Sequence, residues 1–179
     1  MKYLKFLVFT ILNLALLSTV SMAQKSQNNQ NLSDAEIASV ALTANQIDVD
    51  YALIALKRSD NSTVRDFALD MVSDHTSVIQ QATALAKELG VTPEDNDMSK
   101  SLLQGEKETT EKLKSKWGKD FDKAYIDNEV AYHKAVISAV KNKLIPQTEN
   151  QQLKDLFNKI LPVLEHHLQM AESAQDELK

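Results

Sequence analysis

The apolar residues of this chain recur at alternating steps of three and four positions, the spacing that places side chains on one face of an α-helix. No stretch of useful length alternates apolar and polar residues with the two-residue period of a β-strand. The pattern therefore predicts an all-α protein with four long helices and one shorter, more polar helix. The predicted ranges are 33–57, 62–89, 99–117, 120–144 and 151–178.

Local signals refine the ends and the shape of these helices. Ser33 and Glu36 form a capping-box pattern at the start of the first helix. Asp120 is a candidate cap for the helix that follows it. Pro162 lies inside the last helix, where its missing N–H predicts a kink, either to bend the helix around the core or to aim His167 inward.

The connections predict how the helices are arranged. Short turns at Asn61 and Pro146 each join two long helices, which favours two antiparallel hairpins. The polar range 99–117 would bridge the hairpins as a mostly exposed helix, with a break near Gly105 as one alternative. This connectivity is that of a ferritin-like four-helix bundle with an additional short crossover helix.

The N-terminal segment predicts export from the cytoplasm. A basic start, an apolar run and small residues before Gln24 are typical of a signal peptide over residues 1–23, cleaved before Gln24. A retained membrane anchor is the alternative, although the apolar run is short for a span. The polar range 24–31 reads as a disordered tether, and 32–179 as a single domain. The predicted location is the periplasm or cell envelope, with no transmembrane segment after cleavage.

The amino-acid composition excludes several kinds of site and partner. The chain has no cysteine, which excludes disulfides, a lipid anchor at the new N-terminus, thiolate catalysis and cysteine-ligated metal sites. Removing Lys2 and Lys5 with the signal peptide leaves 18 basic residues against 25 acidic ones, a net charge of −7. No basic patch is interleaved with aromatic residues, so nucleic acid is not an expected partner. Protein partners are not specified by any motif.

Three of the four histidines lie in the apolar stripes. His75, His133 and His167 each occupy a position where a helical pattern expects a core leucine, whereas His166 points away from its stripe. A buried imidazole needs a hydrogen-bond partner or costs about 1–3 kcal/mol. One interpretation is therefore purely structural: each histidine forms a hydrogen bond with a neighbouring carboxylate or tyrosine. Three imidazoles converging on one core also favour a shared polar or metal site.

Two acidic residues join the histidines. Asp48 occupies a stripe position on the first helix, and Glu129 lies one turn before His133 on the same face. Imidazoles with a few carboxylates suit a transition-metal ion such as zinc, copper, nickel or iron more than calcium or magnesium. We therefore hypothesise a metal site, with Met71 and Met170 as additional soft ligands or as ordinary core residues. The hypothesised ligands are His75, His133, His167, Glu129 and Asp48.

Several segments together resemble the secreted bacterial family catalogued as domain of unknown function 4142, whose members are loosely called outer membrane proteins. The segments are 32–37, 67–76, 121–127 followed by His133, and 161–168. The resemblance implies a ferritin-like bundle and carries over the three core histidines with Asp48 and Asp50. It implies no activity. The Glu-x-x-His pairs of di-iron bundles are missing, because Val72 and Leu164 stand three residues before their histidines.

Three classes of function remain open at this point. The first is a metal-binding bundle of the periplasm that carries, buffers or senses a transition-metal ion. The second is a non-catalytic interaction or stress-protection protein of the envelope, whose buried histidines are structural. The third is an enzyme with a histidine–carboxylate pair, which is the least supported because no nucleophile motif, phosphate loop or HExxH motif is present.

Overall fold

The computed structural model describes residues 31–179, and the predicted signal peptide and most of the predicted tether lie outside this range. Within it every regular element is helical, so the all-α prediction is confirmed. The π-helical segment Val140–Leu144 joins α4 to α5 without a turn. The helices are α1 (Asp34–Arg58), α2 (Ser62–Glu88), α3 (Asp97–Lys114), α4 (Gly118–Ala139), α5 (Ile145–Gln147) and α6 (Gln151–Glu177).

Side-chain caps define where the long helices begin. The hydroxyl of Ser33 accepts from the backbone N–H of Glu36, whose carboxylate accepts from the Ser33 N–H, so the predicted capping box is confirmed. Asn61 and Asn150 cap α2 and α6 in the same way, each accepting an N–H three residues later. These caps satisfy donors that have no partner within the first helical turn.

Two local predictions are wrong. α3 runs through Gly105 without a break, because the helix is held at both ends and nothing in the turn requires a left-handed backbone there. Asp120 does not cap α4, which already begins at Gly118. Gly118 has a φ of +51°, a left-handed conformation that glycine adopts at little cost, and it turns the chain from α3 into α4.

The four long helices pack as two antiparallel hairpins. α1 lies against α2, α4 lies against α6, and the two hairpins meet through α2 with α6 and α1 with α4. α3 packs mainly on α1, where it bridges the hairpins as a crossover helix should. These pairings agree with the predicted four-helix arrangement. No helix in residues 31–179 is both long enough and apolar enough to cross a membrane.

The apolar interior is divided into two clusters along the bundle axis. One cluster, near the α1–α2 turn, contains Tyr51, Phe67 and Phe121, and the other, near the α4–α6 turn, contains Ile37 and Phe157. α1 and α6 contribute buried residues to both clusters, whereas α2 and α4 pack partly buried residues such as Val78 and Val136 against the cluster near the α4–α6 turn. The segment between the two clusters therefore lies at the same level on all four helices. That level is where the polar residues of the core are found.

Candidate metal centre

All five residues hypothesised as ligands lie in the interior at the level between the apolar clusters. Asp48 comes from α1, His75 from α2, Glu129 and His133 from α4, and His167 from α6. Their exposed fractions are between 0% and 3%. Helical periodicity places each side chain inward, and the antiparallel hairpins bring them to a common height. The expectation that the three histidines face the core is confirmed.

The three imidazoles form a compact triangle. Ring centroids are 5.1 Å apart for His75 and His167, 5.5 Å for His133 and His167, and 5.8 Å for His75 and His133. One ring nitrogen of each histidine lies within 4.8 Å of the chosen nitrogens of the other two. Residues from three different helices thus direct donor atoms to one point.

Hydrogen bonds at the periphery fix which nitrogen of each ring carries the proton. His75 Nδ1 lies 2.8 Å from Asn45 Oδ1, an acceptor because the Asn45 amide donates to the carbonyl of Ala41. His133 Nδ1 lies 3.0 Å from the carbonyl oxygen of Glu129. A neutral imidazole with one N–H bonded to an acceptor keeps its lone pair on the other nitrogen. His75 and His133 therefore both present an unprotonated Nε2 to the centre.

His167 has the opposite orientation. Its Nε2 lies 3.0 Å from the carboxylate of Asp74, whose side chain is half-exposed at the bundle surface. The lone pair of His167 therefore belongs to Nδ1. Three ring nitrogens have no hydrogen-bond partner in the described part of the chain, namely His75 Nε2, His133 Nε2 and His167 Nδ1. The outer hydrogen bonds are of the kind that orients histidine ligands in metal sites.

Asp48 lies beside the triangle of imidazoles and brings a carboxylate oxygen close to two of them. Its Oδ2 lies 3.4 Å from His75 Nε2 and 3.5 Å from His133 Nε2, and neither contact is a hydrogen bond. Ligand atoms at ordinary metal–nitrogen and metal–oxygen distances around a tetrahedral ion are about 3.4 Å apart. The Asp48 carboxylate therefore already lies at the spacing from each of two imidazole nitrogens that a four-coordinate ion requires.

Glu129 belongs to a second, overlapping group. One donor atom each of Asp48, Glu129 and His133 lie within 4.8 Å of one another. Glu129 Oε2 is 3.6 Å from His133 Nδ1, and both of its carboxylate oxygens lack a hydrogen-bond partner within residues 31–179. Glu129 faces the protonated side of the His133 ring, whereas Asp48 faces its lone pair. Asp48 is therefore the better placed of the two carboxylates to share an ion with the imidazoles.

Burial shifts the pKa of every member of this cluster towards its neutral form. It raises the pKa of Asp48 to about 8, and it raises the pKa of Glu129 well above its usual value, with the Asp48 charge adding to the effect. Burial lowers the pKa of His133 to about 4 and that of His75 well below its usual value. The pKa of His167 is also lowered by burial, against the opposing effect of the hydrogen bond that it donates to Asp74. A bound cation would instead favour the charged forms of the two carboxyl groups.

The structure also shows which residues sequence reasoning missed. Asn45 and Asp74 orient two of the three imidazoles. Asn45 stands three positions before Asp48, and this helical spacing could have indicated that Asn45 shares its face. Nothing in the sequence indicated Asp74, because it directly precedes His75 and lies off the apolar stripe. Asp50, carried over by the family resemblance, is outside the cluster and accepts a hydrogen bond from Gln46.

The remaining sequence candidates lie outside the cluster as well. Met71 is buried in the apolar cluster near the α1–α2 turn, and Met170 packs against the same cluster, so both act as core residues. His166 is exposed, as its position off the stripe predicts. The donors of the cluster are therefore imidazole nitrogens and carboxylate oxygens.

Comparison with known proteins gives a family and a fold. The sequence profile of the family described as "Domain of unknown function (DUF4142)" matches residues 19–174. The solved structure of CopM in the Cu(II)-bound form is similar, with a TM-score of 0.63, 12% sequence identity, and coverage of 84% of this chain and 100% of that one. At this identity the likeness concerns the fold alone. No curated protein sequence matches the chain significantly.

We predict that Asp48→Asn changes how the stability of the metal-free protein depends on pH. The raised pKa of Asp48 means that the folded state keeps a proton which the unfolded state releases above about pH 4. The Asp48 contribution to stability is therefore complete below pH 3.8 and is lost as pH rises towards 8. Asparagine cannot lose that proton. The unfolding free energy of the variant relative to wild type should rise by about 1.4 kcal/mol per pH unit between pH 5 and 7.

Urea denaturation of chelator-treated protein at several pH values measures this difference directly. Asp50→Asn is the matched control, since it removes a carboxylate from the same helix outside the cluster. The control should follow the wild-type dependence on pH. A difference between Asp48→Asn and wild type that stays constant over this range would contradict the prediction.

Proposed function

We propose that this chain, which belongs to the DUF4142 family, is an exported protein that binds one transition-metal ion, with Cu(II) as the preferred ion, in the core of its helical bundle. The proposed ligands are His75, His133 and His167, with Asp48 as the fourth. The observation that carries the proposal is a triangle of three imidazoles, each with a ring nitrogen within 4.8 Å of the other two rings' nitrogens and each with one nitrogen unpartnered among residues 31–179. Their protons are all held on the opposite sides of the rings by hydrogen bonds.

The energetics of the cluster support a cation rather than a purely structural network. Each histidine already has its one expected hydrogen bond, to Asn45, to a backbone carbonyl or to Asp74. The three inner nitrogens are acceptors without a hydrogen-bond partner among residues 31–179, and the single proton of a neutral Asp48 carboxyl can serve only one of them. Buried acceptors without a donor cost about 1–3 kcal/mol each. A structural network would instead be expected to pair its members with one another.

The donor set and the fold support copper over other ions. Imidazole and carboxylate ligands bind divalent first-row metals in an order of affinity that peaks at Cu(II), and zinc and nickel follow. CopM, which has a similar fold, has been solved with Cu(II) bound. The absence of cysteine leaves no thiolate to favour other soft-metal chemistry. We therefore place Cu(II) first, and we expect the same site to bind Zn(II) and Ni(II) more weakly.

The position of the site supports a role in carrying or buffering the ion. All four proposed ligands are buried on four-helix scaffolding, which suits retention of an ion more than turnover of a large substrate. Asp74 is the half-exposed residue in contact with the cluster, so it connects the site with the surface. Glu129 lies close enough to neutralise charge at the site without replacing Asp48.

We predict that the metal-free, untagged protein binds one equivalent of Cu(II), and that His133→Ala and His167→Ala each weaken binding at least a hundredfold. Each substitution removes one of the three converging nitrogens. Titration by calorimetry, with a chelator of known affinity as competitor, measures the change. Binding to the folded state should also raise the melting temperature of the wild type.

His166→Ala is the matched control, because it removes the neighbouring exposed imidazole and should leave the affinity unchanged. His133→Gln serves as a second variant if alanine reduces the helical circular dichroism signal. Failure of the wild type to bind any of Cu(II), Zn(II) and Ni(II) would overturn the proposal. Equal effects of His166 and His167 substitutions would do the same, and both results favour the structural role of the buried histidines.

We predict that Asp74→Ala lowers the Cu(II) affinity by about 10- to 100-fold, although Asp74 is not a proposed ligand. Its carboxylate holds the proton on His167 Nε2, and loss of such an outer partner typically has an effect of this size. Asp70→Ala is the control, since it removes a nearby exposed charge that makes no hydrogen bond to His167. If both substitutions reduce affinity equally, the effect is electrostatic and Asp74 does not orient the ring.

We predict that the mature protein begins at Gln24 and is recovered from the periplasm. The apolar run and the small residues Ser21 and Ala23 fit a cleaved signal peptide. Intact-mass spectrometry of the protein from an osmotic-shock fraction measures the N-terminus. Substituting Ala23 with Arg should block processing and increase the mass of the product. Recovery of a chain that still begins at Met1 in the wild type would contradict the prediction.

A further inference from the structure

A cavity of about 230 Å³ adjoins the polar cluster on the side of the α4–α6 turn. Its walls come from α1, α3, α4, the π-helical segment and α6, and they are almost entirely apolar. Leu102, Val136, Leu144, Phe157 and Ile160 are among the lining side chains. The cavity is therefore built into the bundle and ends at the proposed metal ligands.

Small side chains create this space. Ala41 and Ala44 of α1 and Ala139 of α4 line the cavity where leucine would fill it. Ala135 also lines it and is exposed, so the cavity reaches the surface beside α4. An apolar cavity of roughly 150 Å³ in another protein stays dry and accommodates benzene. The volume here is large enough for a single substituted aromatic ring.

Polar atoms are confined to the end of the cavity at the cluster. Asn45 and Tyr132 reach it, but the Asn45 amide already donates to the carbonyl of Ala41 and the Tyr132 hydroxyl to that of Ala44. The groups left there are the Asp48 carboxyl, His75 Nε2 and His133 Nε2, none of which has a hydrogen-bond partner among residues 31–179. One carboxyl proton cannot serve both imidazole nitrogens, so an occupant that brings a hydrogen-bond donor fits this end.

We propose that, in the metal-free protein, this cavity binds a small neutral phenol, with the ring against the apolar walls and the hydroxyl donating to Asp48, His75 or His133. A neutral hydroxyl is preferred over an ammonium group because burying a charge costs far more than burying a hydroxyl that finds an acceptor. A ring is preferred over an alkyl chain because it has no rotatable bonds to order on binding. The phenol and the metal ion would use the same acceptors and would exclude one another.

The test uses full-length mature protein in excess chelator, so its result does not depend on whether copper binds. Phenol and toluene have the same size, but toluene lacks the hydroxyl donor. Phenol should bind with one site per chain and about tenfold more tightly than toluene, measured by calorimetry or by ligand-observed NMR. Equal affinity for the two molecules would overturn the assignment of the polar end. No detectable phenol binding would overturn the proposal as a whole.

A substitution that fills the cavity locates the site. Ala139→Leu adds a side chain to the cavity wall away from the histidines, and phenol binding should fall at least tenfold. Ala131→Leu is the matched control, because Ala131 is an exposed residue of the same helix outside the cavity. Unchanged phenol affinity in a folded Ala139→Leu protein would contradict the proposal, as would an equal loss in both variants. If Ala139→Leu does not fold, Val136→Phe provides the same test from the neighbouring turn.

Discussion

The burial of three imidazoles and two carboxylates at one level of the bundle is the constraint on which the rest of this structure depends. Each group alone would be costly to remove from water, and together they cannot all satisfy one another, because a neutral Asp48 carboxyl has one proton to offer to three inner imidazole nitrogens. The protein limits this cost by holding the groups neutral, through a lowered pKa of His75 and His133 and a raised pKa of Asp48 and Glu129. A cation at the centre would remove the conflict.

The two apolar clusters supply the stability that lets the bundle keep such a centre. They lie on either side of the polar level, and every long helix spans both. Burial of large side chains such as Tyr51 and Phe157 contributes roughly 1.5–3 kcal/mol for each residue. This packing fixes the relative height of the four helices, and so it holds the donor atoms in place before any ligand arrives. Such preorganisation is what a selective binding site requires.

The centre is asymmetric, and the asymmetry gives each neighbour a different role. Asp48 faces ring lone pairs, Glu129 faces the protonated side of His133, and Asp74 reaches His167 from the surface. On the side of the α4–α6 turn, Asp48, His75 and His133 border an apolar cavity rather than packed side chains. The ion-binding and cavity proposals are thus two consequences of the same unpaired acceptors, one for a cation and one for a neutral donor.

The sequence by itself determined the helical class, the helix pairs and the inward positions of His75, His133 and His167, because these follow from local periodicity and turn signals. It also indicated Asp48 and Glu129, since both occupy the same helical faces. Only the tertiary structure decided which ring nitrogens are free, because Asn45 and Asp74 approach the rings from positions 30 and 93 residues away along the chain. It likewise decided that Asp48 is better placed than Glu129 to share an ion with the imidazoles, and that the cavity exists. Contacts between helices set those features, and helical periodicity constrains a single helix at a time.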